Sequence, residues 1–167
     1  MKTLPIVALF LVVALSGCTS GGGLSDYTAK TGDVSGFVYM ELPNETKEQG
    51  FPKNPGALQM GEGGPIEASY ASILALQNRS TEPAIISNAV RFNNATNAQM
   101  MSGGASMCSE DVFVAQKGAV MAMVIVALPS SDADYQYVHD QAHDAFHKIL
   151  GRTDATDLCA DGMEDDP

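Results

Sequence analysis

The feature that most constrains the fold is the apolar run of residues 120–128, which ends at Pro129. A run with no polar residue on either face is typical of a strand that is covered on both sides. A shorter apolar segment, residues 112–114, precedes it, and Gln116, Lys117 and Gly118 separate the two. The pattern therefore predicts a β-hairpin whose second arm is a central strand.

The segment that follows, residues 131–150, has the periodicity of an amphipathic helix. Its apolar side chains fall on one stripe, namely Tyr135, Val138, Ala142, Ala145, Phe146 and Ile149. Such a stripe needs an apolar surface to cover it, and the central strand is the natural candidate. We expect Ser131 or Asp132 to cap the start of this helix and Gly151 to close its end.

The elements upstream are shorter and less regular. Residues 34–42 predict a short strand, and residues 43–65 hold too many glycines and prolines for any regular element. That long loop is either functional or a disordered insert, and the sequence favours neither. Residues 67–77 fit helix and strand comparably, and we choose a strand because residues 85–92 can pair with it as a hairpin.

A short helix completes the set of elements. Asn93, Asn94 and Thr96 are candidate caps, and the helix would end at Gly103. The order is then strand, loop, hairpin, short helix, hairpin, long helix. This order predicts an α+β fold, a two-layer sandwich in which an antiparallel sheet is packed by a C-terminal helix.

The N-terminus has a different character. Lys2 precedes an apolar run over residues 4–15, which ends in Leu15, Ser16, Gly17 and Cys18. A bilayer-spanning helix needs roughly 20 apolar residues, whereas the core of a signal peptide needs only ~7–15. The run therefore predicts a signal peptide.

The residues Leu-Ser-Gly-Cys resemble the lipobox of prokaryotic lipoproteins. The resemblance implies that Cys18 carries a diacylglyceryl group and becomes the first mature residue. It makes residues 1–17 a signal peptide. The Gly- and Ser-rich residues after Cys18 predict a flexible tether, so the lipidated cysteine and its tether span 18–32. A single domain at 33–151 and an acidic tail at 152–167 make up the rest of the chain. The implied location is the outer face of the cytoplasmic membrane, or the outer membrane if the host is a diderm bacterium.

Charge excludes one class of partner. The chain has nine Lys and Arg residues and 20 Asp and Glu residues. Removal of Lys2 with the signal peptide changes the formal net charge from −11 to −12. A chain this acidic is repelled by phosphate backbones, so we expect no nucleic-acid partner.

The cysteines other than Cys18 form an even pair, Cys108 and Cys159. In an exported protein such a pair predicts a disulfide, which requires the two Cα atoms to approach within about 7 Å. Two separate thiols are the alternative.

All three histidines, His139, His143 and His147, lie on the predicted C-terminal helix in the string HDQAHDAFH. His139 and His143 are candidate metal ligands, because a spacing of four puts them on one side of a helix. His147 lies ~12 Å from His139 along the axis, too far to complete the same site. The string also departs from the zinc-protease pattern, since Asp140 stands where glutamate is required. A solvated helix flank is the competing interpretation.

Three Asn-x-Ser/Thr sequons begin at Asn44, Asn78 and Asn94. They have meaning only in a host that glycosylates exported proteins. Sequons together with a lipobox favour an archaeal cell-surface lipoprotein.

No motif for a nucleophile, a phosphate loop or a dinucleotide occurs, so we expect neither enzymatic activity nor a cofactor. The sequence favours a binding or structural module of the cell envelope. Its partners would be the membrane, through the lipid on Cys18, and an envelope protein or a small ligand. A zinc-type metal-binding protein using His139, His143 and His147 is the alternative.

Overall fold

The computed structural model describes residues 23–40, 66–102 and 107–160. Cys18 and the whole predicted signal peptide lie outside these residues. So do the sequon at Asn44, the predicted loop up to residue 65 and residues 161–167 of the acidic tail.

Six strands and two α-helices follow one another in the described chain. The strands are β1 (Phe37–Tyr39), β2 (Ile66–Leu76), β3 (Ile85–Phe92), β4 (Val112–Lys117), β5 (Val120–Val126) and β6 (Thr156–Asp157). The helices are α1 (Ala95–Ser102) and α2 (Tyr135–Thr153), with 3-10 turns at Leu24–Tyr27 and Gln77–Arg79. No helix within these described ranges is both long enough and apolar enough to cross a membrane.

The strands form one sheet in the order β1-β2-β3-β5-β4-β6, and every neighbouring pair is antiparallel. The predicted α+β class is confirmed, because α2 packs its buried stripe on one face of this sheet. Both predicted hairpins are present as β2–β3 and β4–β5.

The turn of the second hairpin is shorter than the sequence predicts. Gln116 and Lys117 belong to β4, where they pair with Met121 and Val120, so only Gly118 and Ala119 form the turn. Gly118 has φ of 55°, a left-handed conformation that glycine adopts without steric cost.

β5 occupies the central position that its apolar run predicts, between β3 and β4. One face of β5, including Ala122 and Val124, joins the core beneath α2. The other face, Met121 and Met123, packs with Phe92 in a second cluster that also includes residues of α1.

Both ends of α2 differ from the prediction. The helix begins at Tyr135 after Asp134, and the Asp132 carboxylate accepts the Asp134 N–H at 2.9 Å in the turn before it. Gly151 does not close the helix, which continues to Thr153 and ends where Asp154 adopts φ of 50°. The buried stripe contains every predicted position and Thr153 in addition.

The folded domain begins earlier than residue 33, so the predicted tether boundary is wrong. Tyr27, Thr28 and Ala29 are all buried, with exposures of 5%, 1% and 0%. The Ala29 N–H donates to the Ser87 hydroxyl, and the Ala29 carbonyl accepts from Ser72, so this segment bonds to both β2 and β3.

Polar side chains of α2 hold the same N-terminal segment along the helix. Arg152 donates to the Asp33 carboxylate at 2.8 Å and to the Thr28 carbonyl. Near the other end of the helix, the Tyr137 hydroxyl donates to the Ser35 carbonyl at 2.6 Å. Residues 26–35 therefore run antiparallel to α2, and we call them the strap.

The C-terminal boundary of the domain also lies beyond the predicted residue 151. Thr156 and Asp157 form β6 against β4, and Cys159 is 3% exposed. The predicted tail therefore belongs to the fold at least as far as Cys159.

Candidate functional site: the histidine row on the C-terminal helix

The histidine row lies where α2 passes over β4. Burial of the apolar stripe fixes the rotation of α2, and a spacing of four residues places the histidines beside that stripe. Phe113 of β4 stands beneath the row, with its ring edge-on to His139 at 5.7 Å and to His143 at 5.5 Å between centroids. The row therefore rests on an aromatic ring from the sheet.

His139 is partly buried and bonded to the backbone. Its Nε2 lies 3.0 Å from the carbonyl oxygen of Glu110. A carbonyl can only accept a hydrogen bond, so Nε2 must carry the proton and is not free to bind a metal. The other ring nitrogen, Nδ1, is buried without a hydrogen bond, and the Asp140 carboxylate lies 3.8 Å from it.

His143 and His147 instead face each other. Their Nε2 atoms are 3.2 Å apart, and the rings meet at 81° with centroids separated by 4.4 Å. Both residues are exposed. At this separation one Nε2–H donates to the other nitrogen when both rings are neutral.

The surroundings of His143 favour its neutral form. Although the His143 side chain is exposed overall, desolvation of its ring lowers its pKa, and His147 and His139 lower that pKa further. The carboxylates of Asp144 and Asp157 act in the opposite direction. The net shift of the His143 pKa is downward, which favours the neutral ring.

The structure thus pairs different histidines from those the sequence singled out. His139 and His143 were the candidate ligands, but the Nε2 of His139 is taken by Glu110, a contact between residues 29 positions apart. No local spacing rule could have identified that contact. Within the described ranges, no group of three or more His, Cys, Asp or Glu side chains is arranged to hold a metal ion.

Cys108 and Cys159 are joined by a disulfide. The sulfurs are 2.11 Å apart and the Cα atoms 5.5 Å apart, within the limit that the bond requires. Cys159 Sγ also lies 3.2 Å from the Val114 backbone nitrogen, which donates to it. The disulfide joins the segment after β6 to the residues that lead into β4.

Two of the three sequons lie in the described part of the chain, and both asparagines are exposed. Asn78 sits in the second 3-10 turn. Asn94 caps α1, because its side-chain oxygen accepts the Asn97 N–H at 2.8 Å. The Asn94 amide nitrogen, the atom a glycan would modify, donates only to the Asn93 side chain at 3.1 Å among its described contacts.

Comparison with known proteins finds no family model, no curated protein and no solved structure that matches this chain. The assignment of a role therefore depends on the chain's own residues.

Proposed function

We propose that this chain is an exported lipoprotein, anchored through a lipid on Cys18 to the outer face of the cytoplasmic membrane. The observation that carries the proposal is the order of residues 1–18. A cationic residue, a short apolar core and small residues precede a cysteine in that order.

Two features of the folded domain support the proposal. A disulfide persists in oxidising compartments and is rare in the cytosol, so the Cys108–Cys159 bond suits an exported protein. The bond also engages both other cysteines, which leaves Cys18 as the sulfur available for a lipid.

In this proposal the domain is a binding or structural module of the envelope and carries out no reaction. The short distance in sequence between Cys18 and the first packed turn, Leu24–Tyr27, keeps the domain close to the lipid. The five residue-to-residue steps from Cys18 to Gly23 span at most ~18 Å when the chain is fully extended. A partner would therefore be met at the membrane surface rather than far from it.

The test is the variant Cys18→Ser expressed in the native host or in a prokaryote that lipidates proteins. The lipid cannot be attached without the thiol, so we expect loss of the diacylglyceryl mass and accumulation as uncleaved precursor or in the soluble fraction. Membrane fractionation and intact-mass spectrometry measure both. The matched control is Ser16→Ala, which keeps a small residue before the cysteine and should be processed normally. Normal cleavage and membrane retention of Cys18→Ser would overturn the proposal.

A second candidate role, metal binding on α2, is favoured by one specific observation, the approach of the His143 and His147 nitrogens to 3.2 Å.

A further inference from the structure

We infer that His143 and His147 form a two-histidine chelate for a divalent late transition metal, with Cu²⁺ bound most tightly. The inference does not depend on the lipid anchor, and either can fail without the other. It differs from the sequence-based expectation in the pair of histidines and in excluding His139.

The first argument is the distance between the two nitrogens. A tetrahedral zinc ion with bonds of 2.0–2.1 Å holds two nitrogens about 3.3–3.4 Å apart. Two adjacent positions at right angles, as in square-planar copper, hold them about 2.9 Å apart at the same bond length. The observed 3.2 Å lies between these values. The separation of the two nitrogens therefore suits an ion bound to both of them.

The second argument is availability. The pair is exposed, and the contact that joins the two Nε2 atoms is a hydrogen bond between neutral rings, which is weaker than a metal bond. Histidine binds metals in its neutral form, and a hydrogen bond between the two Nε2 atoms requires at least one of the rings to be neutral. His139 lacks this availability, because its Nε2 is bonded to Glu110 and its other ring nitrogen, Nδ1, is buried.

The third argument is rigidity. α2 is a 19-residue helix with its apolar stripe buried in the core, so the two Cα atoms are held at a fixed separation. Aromatic rings restrict the imidazoles: Phe113 lies against His143, and Phe146 has its centroid 6.2 Å from that of His147. A pair held in place before binding loses less entropy when the ion arrives.

The fourth argument is charge. Asp144 follows His143 on the helix, and Asp157 of β6 is close enough to influence the His143 pKa. The Asp157 carboxylate is fixed in place because its Oδ1 accepts the Cys159 N–H at 2.8 Å. These carboxylates give a local negative potential that attracts a divalent cation. Water fills the remaining coordination positions, since the described residues supply only two imidazoles at this point.

The class of metal follows from the ligands. Imidazole suits Cu²⁺, Ni²⁺ and Zn²⁺, and at a given nitrogen site affinity rises to a maximum at Cu²⁺. Ca²⁺ and Mg²⁺ prefer oxygen ligands and should not compete.

The experiment is a Cu²⁺ titration of the tag-free mature chain in detergent, followed by calorimetry and by electron paramagnetic resonance. We expect one saturable site per chain, whose spectrum shows coupling to two imidazole nitrogens. His143→Ala and His147→Gln should each weaken binding roughly tenfold or more, because loss of one arm removes the chelate effect. His139→Ala is the matched control and should bind as the parent protein does.

His143→Ala also removes a contact with Phe113, so His147→Gln at an exposed position guards against an effect of misfolding. Circular dichroism should show the same helix content and melting temperature for His147→Gln as for the parent. The inference is overturned if copper does not saturate a single site, or if His147→Gln binds copper as tightly as the parent. Equal weakening by His139→Ala would also overturn it.

Discussion

The two faces of the sheet are held by different means. Under α2 the core is continuous and apolar, and Leu74, Ile85, Val124, Val138 and Ile149 are all completely buried. On the opposite face the fully buried set is small, and most of its apolar side chains are only partly covered. The helix above that second face, α1, has eight residues against 19 in α2.

The disulfide lies on the weaker face. Cys159 is a member of the second cluster, and Cys108 packs against that cluster from the edge. A short helix cannot remove enough apolar surface from water to fix this side of the domain, and a covalent bond across 51 residues supplements it. The covalent crosslink is therefore found on the face of the sheet where few apolar side chains are fully buried.

The largest expected effect is on the α2 face. Phe146 is 1% exposed and packs 5.6 Å from the Phe113 ring between centroids, so Phe146→Ala should leave a cavity. We expect a loss of about 3–5 kcal/mol in the free energy of unfolding, measured by urea denaturation. Met100→Ala is the control, because Met100 is 66% exposed and its removal should change stability by less than about 0.5 kcal/mol. A loss below about 1 kcal/mol for Phe146→Ala would contradict the importance assigned to this face.

The disulfide should contribute less than the α2 core and act mainly on the second face. Reduction of the parent protein should lower the free energy of unfolding by about 2–4 kcal/mol, since the open chain gains entropy when unfolded. Hydrogen exchange should quicken in α1 and β6, while amides of α2 keep their protection. Comparing oxidised and reduced forms of one sequence avoids any packing change from substitution.

Two alkylatable thiols in untreated mature protein, measured by intact mass under denaturing conditions, would show that Cys108 and Cys159 are not bonded. Faster exchange in α2 than in α1 after reduction would contradict the division between the faces.

The smallest expected effect concerns the hydrogen bond that joins the start of α2 to the segment before β4. The Tyr135 hydroxyl at the start of α2 donates to the Asp111 carboxylate at 2.6 Å, and Asp111 lies between Cys108 and β4. This bond, with help from burial, raises the pKa of Tyr135 to about 12 from an ordinary value of 10.0. Between these two pH values the unfolded chain loses the proton and the folded chain keeps it. The stability that the bond contributes is therefore full below pH 10 and is lost as pH rises through about 12.

Tyr135→Phe removes this pH dependence. The difference in unfolding free energy between the parent and Tyr135→Phe, measured by chemical denaturation, should shrink steadily across that alkaline range. Tyr27, whose pKa is also raised by burial, is present in both proteins and cancels from the difference. A difference that stays constant with pH would show that the hydroxyl does not hold its proton through Asp111.

The periodic elements could be predicted from the sequence because burial imposes a period on them. The stripe of α2 follows a helical repeat, and the run in β5 is apolar on both faces. Each pattern therefore indicates which faces of its element are buried. The disulfide was predictable because two cysteines remain besides Cys18, and an even number of cysteines in an exported protein indicates pairing.

The boundaries and the histidine contacts could not be predicted because single long-range interactions decide them. α2 passes through Gly151 because the helix end is fixed further on, where Thr153 bonds the Ile149 carbonyl and Asp154 turns left-handed. Residues 24–32 have a tether-like composition, yet Tyr27 and Ala29 reach the core. Neither these residues nor the Glu110 carbonyl opposite His139 leave a repeating signal in the sequence.

The strap determines how the domain responds to mechanical load. A pull on the chain at Gly23 is transmitted first to the turn at Leu24–Tyr27 and to Arg152, which holds the Asp26 and Thr28 carbonyls. Because the strap runs antiparallel to α2, tension along the strap loads the contacts at Arg152 before those at Tyr137 and Ser35. The Arg152 contacts are thus the first polar contacts of the strap to carry such tension, and the hydrogen bonds of Ala29 to Ser72 and Ser87, with the buried ring of Tyr27, keep the strap attached to the sheet behind them.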